Sequence, residues 1–489
     1  MGSLMLDLRS SLRGLRRRRG STVAIIITLG LGIGAVSAIW SVVQAVLIAP
    51  LPYPQADRLT FVWSDLTEAN YQRAPLSGPE LDDLRRHSRA HDDFAAIWAS
   101  SGTVIVDGRP DPLRIGMVTA NFLGLLGVEP ALGRWLAASD EGEGVPPRIV
   151  ISGSLWQRRF GGDERLLGQA LRIDGGWGVP GGLYTVVGVM PPGFEMWLPG
   201  DSSIPRTVDV WLPFQHDLPS SRRGSYYLRT VGRLADGATL EQAREELETL
   251  GREIESTHVE YAASGRAFYP ESLKGDLNRE VRPALLALLG GTLFVLLIAC
   301  TNVAHLLLAR AAERRREISL RAALGAGRRR IARQLVIESL LLAMTGAALG
   351  IALAHFALDA LAAIRPAGLP RFDAVGIDLR VMGFVSTLAI GCGLTFGMVP
   401  VAESLRFDVA RSLRSVNSGG DRRRQRTHGL LVASEMALAI VLLTGAGLLA
   451  RTYVELQRVD PGFDSESVLT FQLSLPAERY PTPLDVAEL

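Results

Sequence analysis

Residues 22–49 read TVAIIITLGLGIGAVSAIWSVVQAVLIA, with no charged side chain. An α-helix crosses the apolar core of a bilayer with about 20 residues. The preceding Arg16, Arg17, Arg18 and Arg19 resemble the basic start of a secretion signal. The apolar region of such a signal is only about 7–15 residues long, so 22–49 is read as a permanent transmembrane helix. Four further stretches have the same character: 284–309, 335–364, 381–402 and 430–450. Their acidic residues are confined to Glu338, Asp359 and Glu435. Composition agrees: of 489 residues 47% are hydrophobic and 21% charged, and the mean hydropathy is +0.19. That is high for a water-soluble chain.

Arginine placement orients the spans, because basic residues gather on the cytoplasmic side. Arg9, Arg13 and Arg16 to Arg19 precede the first span. Nine arginines from Arg310 to Arg333 separate the second and third, and seven from Arg406 to Arg426 follow the fourth. The connection between the third and fourth carries only Arg365 and Arg371, with Arg380 at its edge. Five alternating spans put all three basic clusters inside. The N-terminus is then cytoplasmic, and residues 50–283 and 451–489 lie outside. Residues 1–21 are expected to form a cytoplasmic amphipathic helix with Leu4, Leu8, Leu12 and Leu15 on one face, resting on anionic lipid.

The 50–283 segment mixes β-branched runs at 103–108, 148–152 and 184–190 with helical patterns at 79–89, 121–126, 154–160 and 240–256. The expected result is an extracytoplasmic α+β domain. The sequence after Gly20 and the sequence after Arg426 resemble each other: arginines, a Gly-rich span, a turn with Asp and Pro, then strands at 58–65 and 468–475. Duplication is common among transporters. The second copy ends soon after its span, so 451–489 is read as the start of a second, incomplete extracytoplasmic domain.

The net charge of +2 gives no case for nucleic acid. Cys300 and Cys392 cannot build a disulfide framework. Lys274, the single lysine, is followed by Gly275, so no Gly-Lys-Ser/Thr phosphate loop is present. ATP hydrolysis is therefore expected in a partner chain.

Four blocks carry a family resemblance: 12–59; 118–136 with 151–175 and 186–194; 296–343, containing LLIACTNVAHLLLARAAERRREISLRAALGAG; and 430–463. The chain resembles the MacB/FtsX-like ABC transporter permeases of the duplicated, ATPase-free type, cut short in its second half. His305 stands where that family usually has asparagine, and the Gly175–Gly182 stretch is longer than its usual turn. The resemblance implies an α-helical transmembrane bundle with a large extracytoplasmic α+β domain of the MacB periplasmic-core type, in the bacterial inner membrane. It implies a separate ABC ATPase binding ATP and magnesium, with the lipid bilayer, a periplasmic adaptor or a second permease copy as further partners. The expected role is export or mechanotransmission. The alternative is a regulator signalling to an extracytoplasmic partner, such as a cell-wall hydrolase, without transport.

Segment 310–334 is the candidate coupling element, with Arg316, Glu317, Leu320, Arg321, Leu324 and Gly325 central. Glu317 and Arg321 are spaced for a helical i,i+4 ion pair, and Gly325 suits a helix end. Residues 403–429 form a second cytoplasmic linker. Gly30/Gly34, Gly346/Gly350 and Gly393/Gly397 have the spacing that lets membrane helices approach closely. Asn302, His305 and Glu435 are polar at membrane depth and are expected to hydrogen-bond between helices rather than conduct ions. His87 and His91, beside Asp92 and Asp93, have a zinc-like spacing, but flanking arginines favour a solvated helix face. No catalytic or metal-binding constellation is expected.

Overall fold

The computed structural model describes residues 13, 19–106, 109–176, 178–258, 264–313, 328–364, 375–405 and 420–459. They form two compact units: one from the residues up to Ala49 and from Glu280 onward, the other Pro50–Arg279.

The second unit is built on one sheet. Its strands are β1 (Leu59–Leu66), β2 (Tyr71–Ala74), β3 (His91–Val106), β4 (Arg109–Val118), β5 (Leu132–Gly133), β6 (Arg148–Ile151), β7 (Ala170–Gly175), β8 (Gly182–Val189), β9 (Val210–Pro213), β10 (Arg229–Leu234) and β11 (Arg266–Ser272). They run in the order β11-β1-β10-β3-β4-β9-β6-β8-β5, with β2 added to β1 and β7 bridging β3 and β8. Pairing is antiparallel except for β4 with β9 and β6 with β8. The sheet is buried on both faces, so β1 is buried almost throughout, Thr60 and Ser64 included, rather than on alternate residues. Phe61 and Trp63 point into one core with Ala95, Ile97 and Val118. Val62 points into the other with Phe94, Ala96 and Phe268. Phe61 pairs with Val231, and Val231 with Ala95, so one apolar row crosses three strands.

Helices cover this sheet. With α1 (Arg19–Val43) in the other unit, they are α2 (Gly78–His87), α3 (Phe122–Leu126), α4 (Gly153–Phe160), α5 (Leu240–Thr257) and α6 (Leu273–Leu277). A capping box starts α5: the Thr239 hydroxyl accepts from the Gln242 backbone N–H, and the Gln242 side chain accepts from the Thr239 N–H. Its buried Leu247, Leu250 and Ile254 join the core containing Phe268. Gly251 permits this, since a Cβ there would lie 3.2 Å from the β11 backbone. The zinc-like histidines do not share a helix. His87 ends α2, where its ring meets the Asp83 carbonyl, while His91 starts β3 and is buried between Thr60 and Ser88.

The first strand and the last lie side by side. β1 and β11 pair from Thr60↔Ser272 to Leu66↔Arg266.

The other unit consists of long helices: α1, α7 (Val281–Glu313), α8 (Arg328–Ile364), α9 (Leu379–Leu405) and α10 (Gly420–Gln457). Four are long and apolar enough to cross a membrane, over Arg19–Ile48, Val281–Arg310, Ala332–Ala363 and Val432–Glu455. In α9 the apolar stretch among the described residues is Leu379–Thr395. Segment 310–334 is partly helix: Arg310 to Glu313 close α7, and α8 begins at Arg328. The central coupling candidates Arg316, Glu317, Leu320, Arg321, Leu324 and Gly325 lie outside the described residues, as do 1–12, 14–18, 406–419 and the second strand at 468–475.

Candidate functional site

Helices without charge need another reason to associate in lipid, where apolar side chains gain nothing by leaving it. Close backbone packing supplies one. A Cβ on Gly34 would sit 2.9 Å from the Gly350 carbonyl oxygen, and one on Gly350 would sit 3.0 Å from the Gly34 nitrogen. Gly30 faces Leu349 and Gly346 faces Leu29, each at 2.8 Å from such an added carbon. The two glycine pairs therefore meet each other and form one seam between α1 and α8. Gly393 of α9 faces Leu340 and Ala343 of α8 at 3.0 and 3.2 Å. Gly397 lies in α9, with surroundings outside the described residues. Gly32, which no spacing rule singled out, faces Leu296 and Ala299 of α7. One turn of α1 thus presents small faces to two neighbours.

Arg310, near the end of α7, is 6% exposed, and Glu338 in α8 is 5% exposed. The guanidinium donates to the Ser21 hydroxyl at 2.7 and 3.0 Å and to the Thr22 hydroxyl at 2.8 Å. Its Nη1 stands 3.9 Å from the Glu338 carboxylate. Three helices are clasped by one cation placed where a helix C-terminus favours positive charge. Arg310 ends one apolar stretch and Glu338 lies just inside the next. Antiparallel helices bring those positions together, a sequence signal that span-by-span reading misses. Asn302 and His305 are half-buried on α7, and Glu435 is half-buried on α10.

Polar groups in the sheet unit are tied to arginines. Arg73, at a left-handed φ of 57°, bonds Asp201 at 2.7 Å and Asp276 at 2.5 Å, stands 3.6 Å from Glu271, and stacks 4.2 Å over Trp63. The Trp63 indole donates to Asp276 at 2.6 Å. Burial pushes Asp276 up to about 6, against the pull of Trp63 and Arg73. Burial also pushes His91 down to about 4. Asp140 accepts from both Arg134 and Arg148, and these bonds outweigh its burial and hold it at about 2. The fully buried Arg266 meets Glu80, Ser64 at 3.0 Å and Tyr226 at 2.6 Å. Among the described residues no group of three or more metal-ligating side chains exists.

The family models match this layout in order. The MacB-like periplasmic core domain covers residues 22–250, and the FtsX-like permease C-terminal domain covers 290–409. The chain belongs to the MacB/FtsX-like permease family. It is a membrane protein with a large α+β domain of the MacB periplasmic-core class. The macrolide export ATP-binding/permease protein MacB of Salmonella paratyphi A is 23% identical over 345 residues, 67% of this chain and 49% of that protein. MacB 2 of Aeromonas hydrophila is 24% identical over 244 residues, 48% of this chain and 35% of the relative. The chain thus spans about half the length, or less, of these curated relatives. The crystal structure of the periplasmic region of MacB from Actinobacillus actinomycetemcomitans aligns with 46% of this chain and 94% of its own, at 13% identity and a TM-score of 0.32. Within the family layout, the glycine seam joins a helix of the periplasmic-core match to a helix of the permease match, and α10 follows both.

Proposed function

We propose that this chain is the permease subunit of an ABC-type export or mechanotransmission system in the bacterial inner membrane, with a cytoplasmic N-terminus. The observation that carries it is the direct run of a periplasmic-core match into an FtsX-like permease match on one polypeptide. A separate ATPase, binding ATP and magnesium, supplies the energy; the single Lys274, outside any Gly-Lys-Ser/Thr spacing, supports placing hydrolysis there. The stroke enters through the 310–334 segment, with Glu317, Arg321 and Gly325 at the contact. The Arg310 clasp passes it to α1 and α8, which move as one body because of their seam. The α+β domain then acts on a substrate or an extracytoplasmic partner. In this coupling the chain acts as a lever, and the covalent step belongs to the ATPase.

The test is co-purification of the detergent-solubilised chain with a co-expressed ABC ATPase. Arg321→Glu is expected to abolish the association while thermal stability stays unchanged. Association at wild-type level in that variant removes the coupling assignment. Efflux of a labelled compound that depends on the ATPase separates export from the regulatory alternative.

A further inference from the structure

The chain has two cysteines, 92 positions apart, and the fold brings their sulfurs to 3.7 Å. Cys300 lies in α7 and Cys392 in α9, and they are 7% and 8% exposed. Both belong to a cluster with Ile25, Leu29, Leu296, Val303, Val385 and Ala389. A cysteine used as a small apolar filler needs no second cysteine beside it. Arg310 marks the charged end of α7, ten residues beyond Cys300, or roughly 15 Å along a helix. The pair therefore sits deep in the apolar layer. Water-soluble thiols and disulfides are excluded from that layer, whereas small neutral peroxides and peroxides carried by lipid enter it.

We propose that Cys300 and Cys392 form an intramembrane dithiol that hydroperoxides convert to a disulfide, tethering α7 to α9. In the first step one sulfur attacks a peroxide oxygen and the O–O bond breaks. A sulfenic acid forms, and the thiol proton leaves on the alcohol, or on water when the oxidant is hydrogen peroxide. In the second step the other sulfur attacks the sulfenic sulfur. The S–O bond breaks, and the hydroxide leaves as water with the second thiol proton. Two thiols give up two electrons, and one peroxide takes them. The sulfurs must close by roughly 1.7 Å to reach a bond of about 2.05 Å. The tether fixes α7 against α9 until an apolar reductant reaches it. The proposal concerns the thiols and does not depend on transport.

The experiment uses the full chain in lipid vesicles, treated with hydrogen peroxide in one arm and tert-butyl hydroperoxide in the other. Free thiols are then counted by maleimide labelling after denaturation, and linked peptides are mapped by mass spectrometry. The expected result is joint loss of both thiols, a Cys300–Cys392 linked peptide two hydrogen masses lighter, and recovery with a membrane-permeant phosphine. Stronger reaction with tert-butyl hydroperoxide assigns the source to the lipid phase, and stronger reaction with hydrogen peroxide assigns it to water. The Cys300→Ala chain is expected to accumulate a dimedone-trapped sulfenic acid at Cys392, which the wild type does not. Retention of both thiols under conditions that oxidise a lipid-dissolved small dithiol overturns the proposal. Loss of the two thiols as separate or intermolecular products does so equally.

Discussion

Each unit of this protein buries an arginine against a glutamate, and the two pairs are built differently. In the sheet unit, both Arg266 and Glu80 side chains are fully buried. The arginine also meets Ser64 and Tyr226 and stacks on the Tyr226 ring, while Glu80 accepts from Ser77 at the head of α2. In the helical unit, the corresponding carboxylate of Glu338 stands 3.9 Å from the Arg310 Nη1, and the guanidinium also donates to the Ser21 and Thr22 hydroxyls at 2.7–3.0 Å. A tightly coordinated charge pair fixes one arrangement, because removing either member strands the other in a poor solvent. A charge held by hydroxyls at a helix end can exchange partners at small cost. The first pair holds a rigid head together, and the second suits a joint.

The contrast is broken most directly by Glu80→Ala. Arg266 is then buried without its counter-ion, and stability of the sheet unit falls by about 3–5 kcal/mol, read from denaturant unfolding. Replacing both members with apolar residues, Glu80→Leu with Arg266→Met, is expected to recover most of the loss. If the single variant unfolds at the wild-type midpoint, the tight pair is not a structural fixture.

Acid titration gives the next largest effect. His91 has a folded value near 4 against 6.5 free. Its neutral form contributes stability that is fully present above 6.5 and is lost as pH falls through about 4. The full loss is on the order of 3 kcal/mol. Asp276 has the opposite sign. Its raised value favours folding below its ordinary 3.8, and that contribution is lost as pH rises through about 6. Between pH 7 and pH 4 the two contributions largely offset each other, so the sheet unit should gain stability toward acid in His91→Gln and lose it more steeply in Asp276→Asn. Parallel curves for all three proteins remove both assignments.

Gly34→Leu tests the seam. The new side chain meets the Gly350 carbonyl at under 3 Å, and overpacking of this kind costs about 1–3 kcal/mol. A lower thermal midpoint in detergent, with the sheet unit's own transition unchanged, is the expected result. The smallest change is expected from Arg310→Gln, about 1–1.5 kcal/mol, since glutamine keeps a donor for the hydroxyls. A loss as large as that of Glu80→Ala would erase the distinction between fixture and joint.

Much of the membrane class was legible because uncharged runs and arginine clusters act at short range along the chain. The helix read at 240–256 is found at Leu240–Thr257, since its apolar period and its Thr239 cap are local signals. The strand order was not legible. β1 contacts β10 and β11 across roughly 170 and 200 residues, and strands buried on both faces do not state their neighbours. The expectation that His87 and His91 share a solvated helix face fails because α2 stops at His87 and His91 enters β3, buried. Glycine spacings could be read one helix at a time, but which pair meets which is a tertiary fact. So is the meeting of Arg310 with Glu338, and of Cys300 with Cys392.

The pairing of β1 with β11 has a practical consequence. The polypeptide leaves the sheet unit next to where it entered, so the whole unit is a cassette spliced into a helical host at one locus. Such a layout lets an ancestor acquire, lose or exchange the head by a single insertion event. It also lets the segment Pro50–Arg279 be produced alone, or grafted onto another set of helices, with a short bridge joining its two ends.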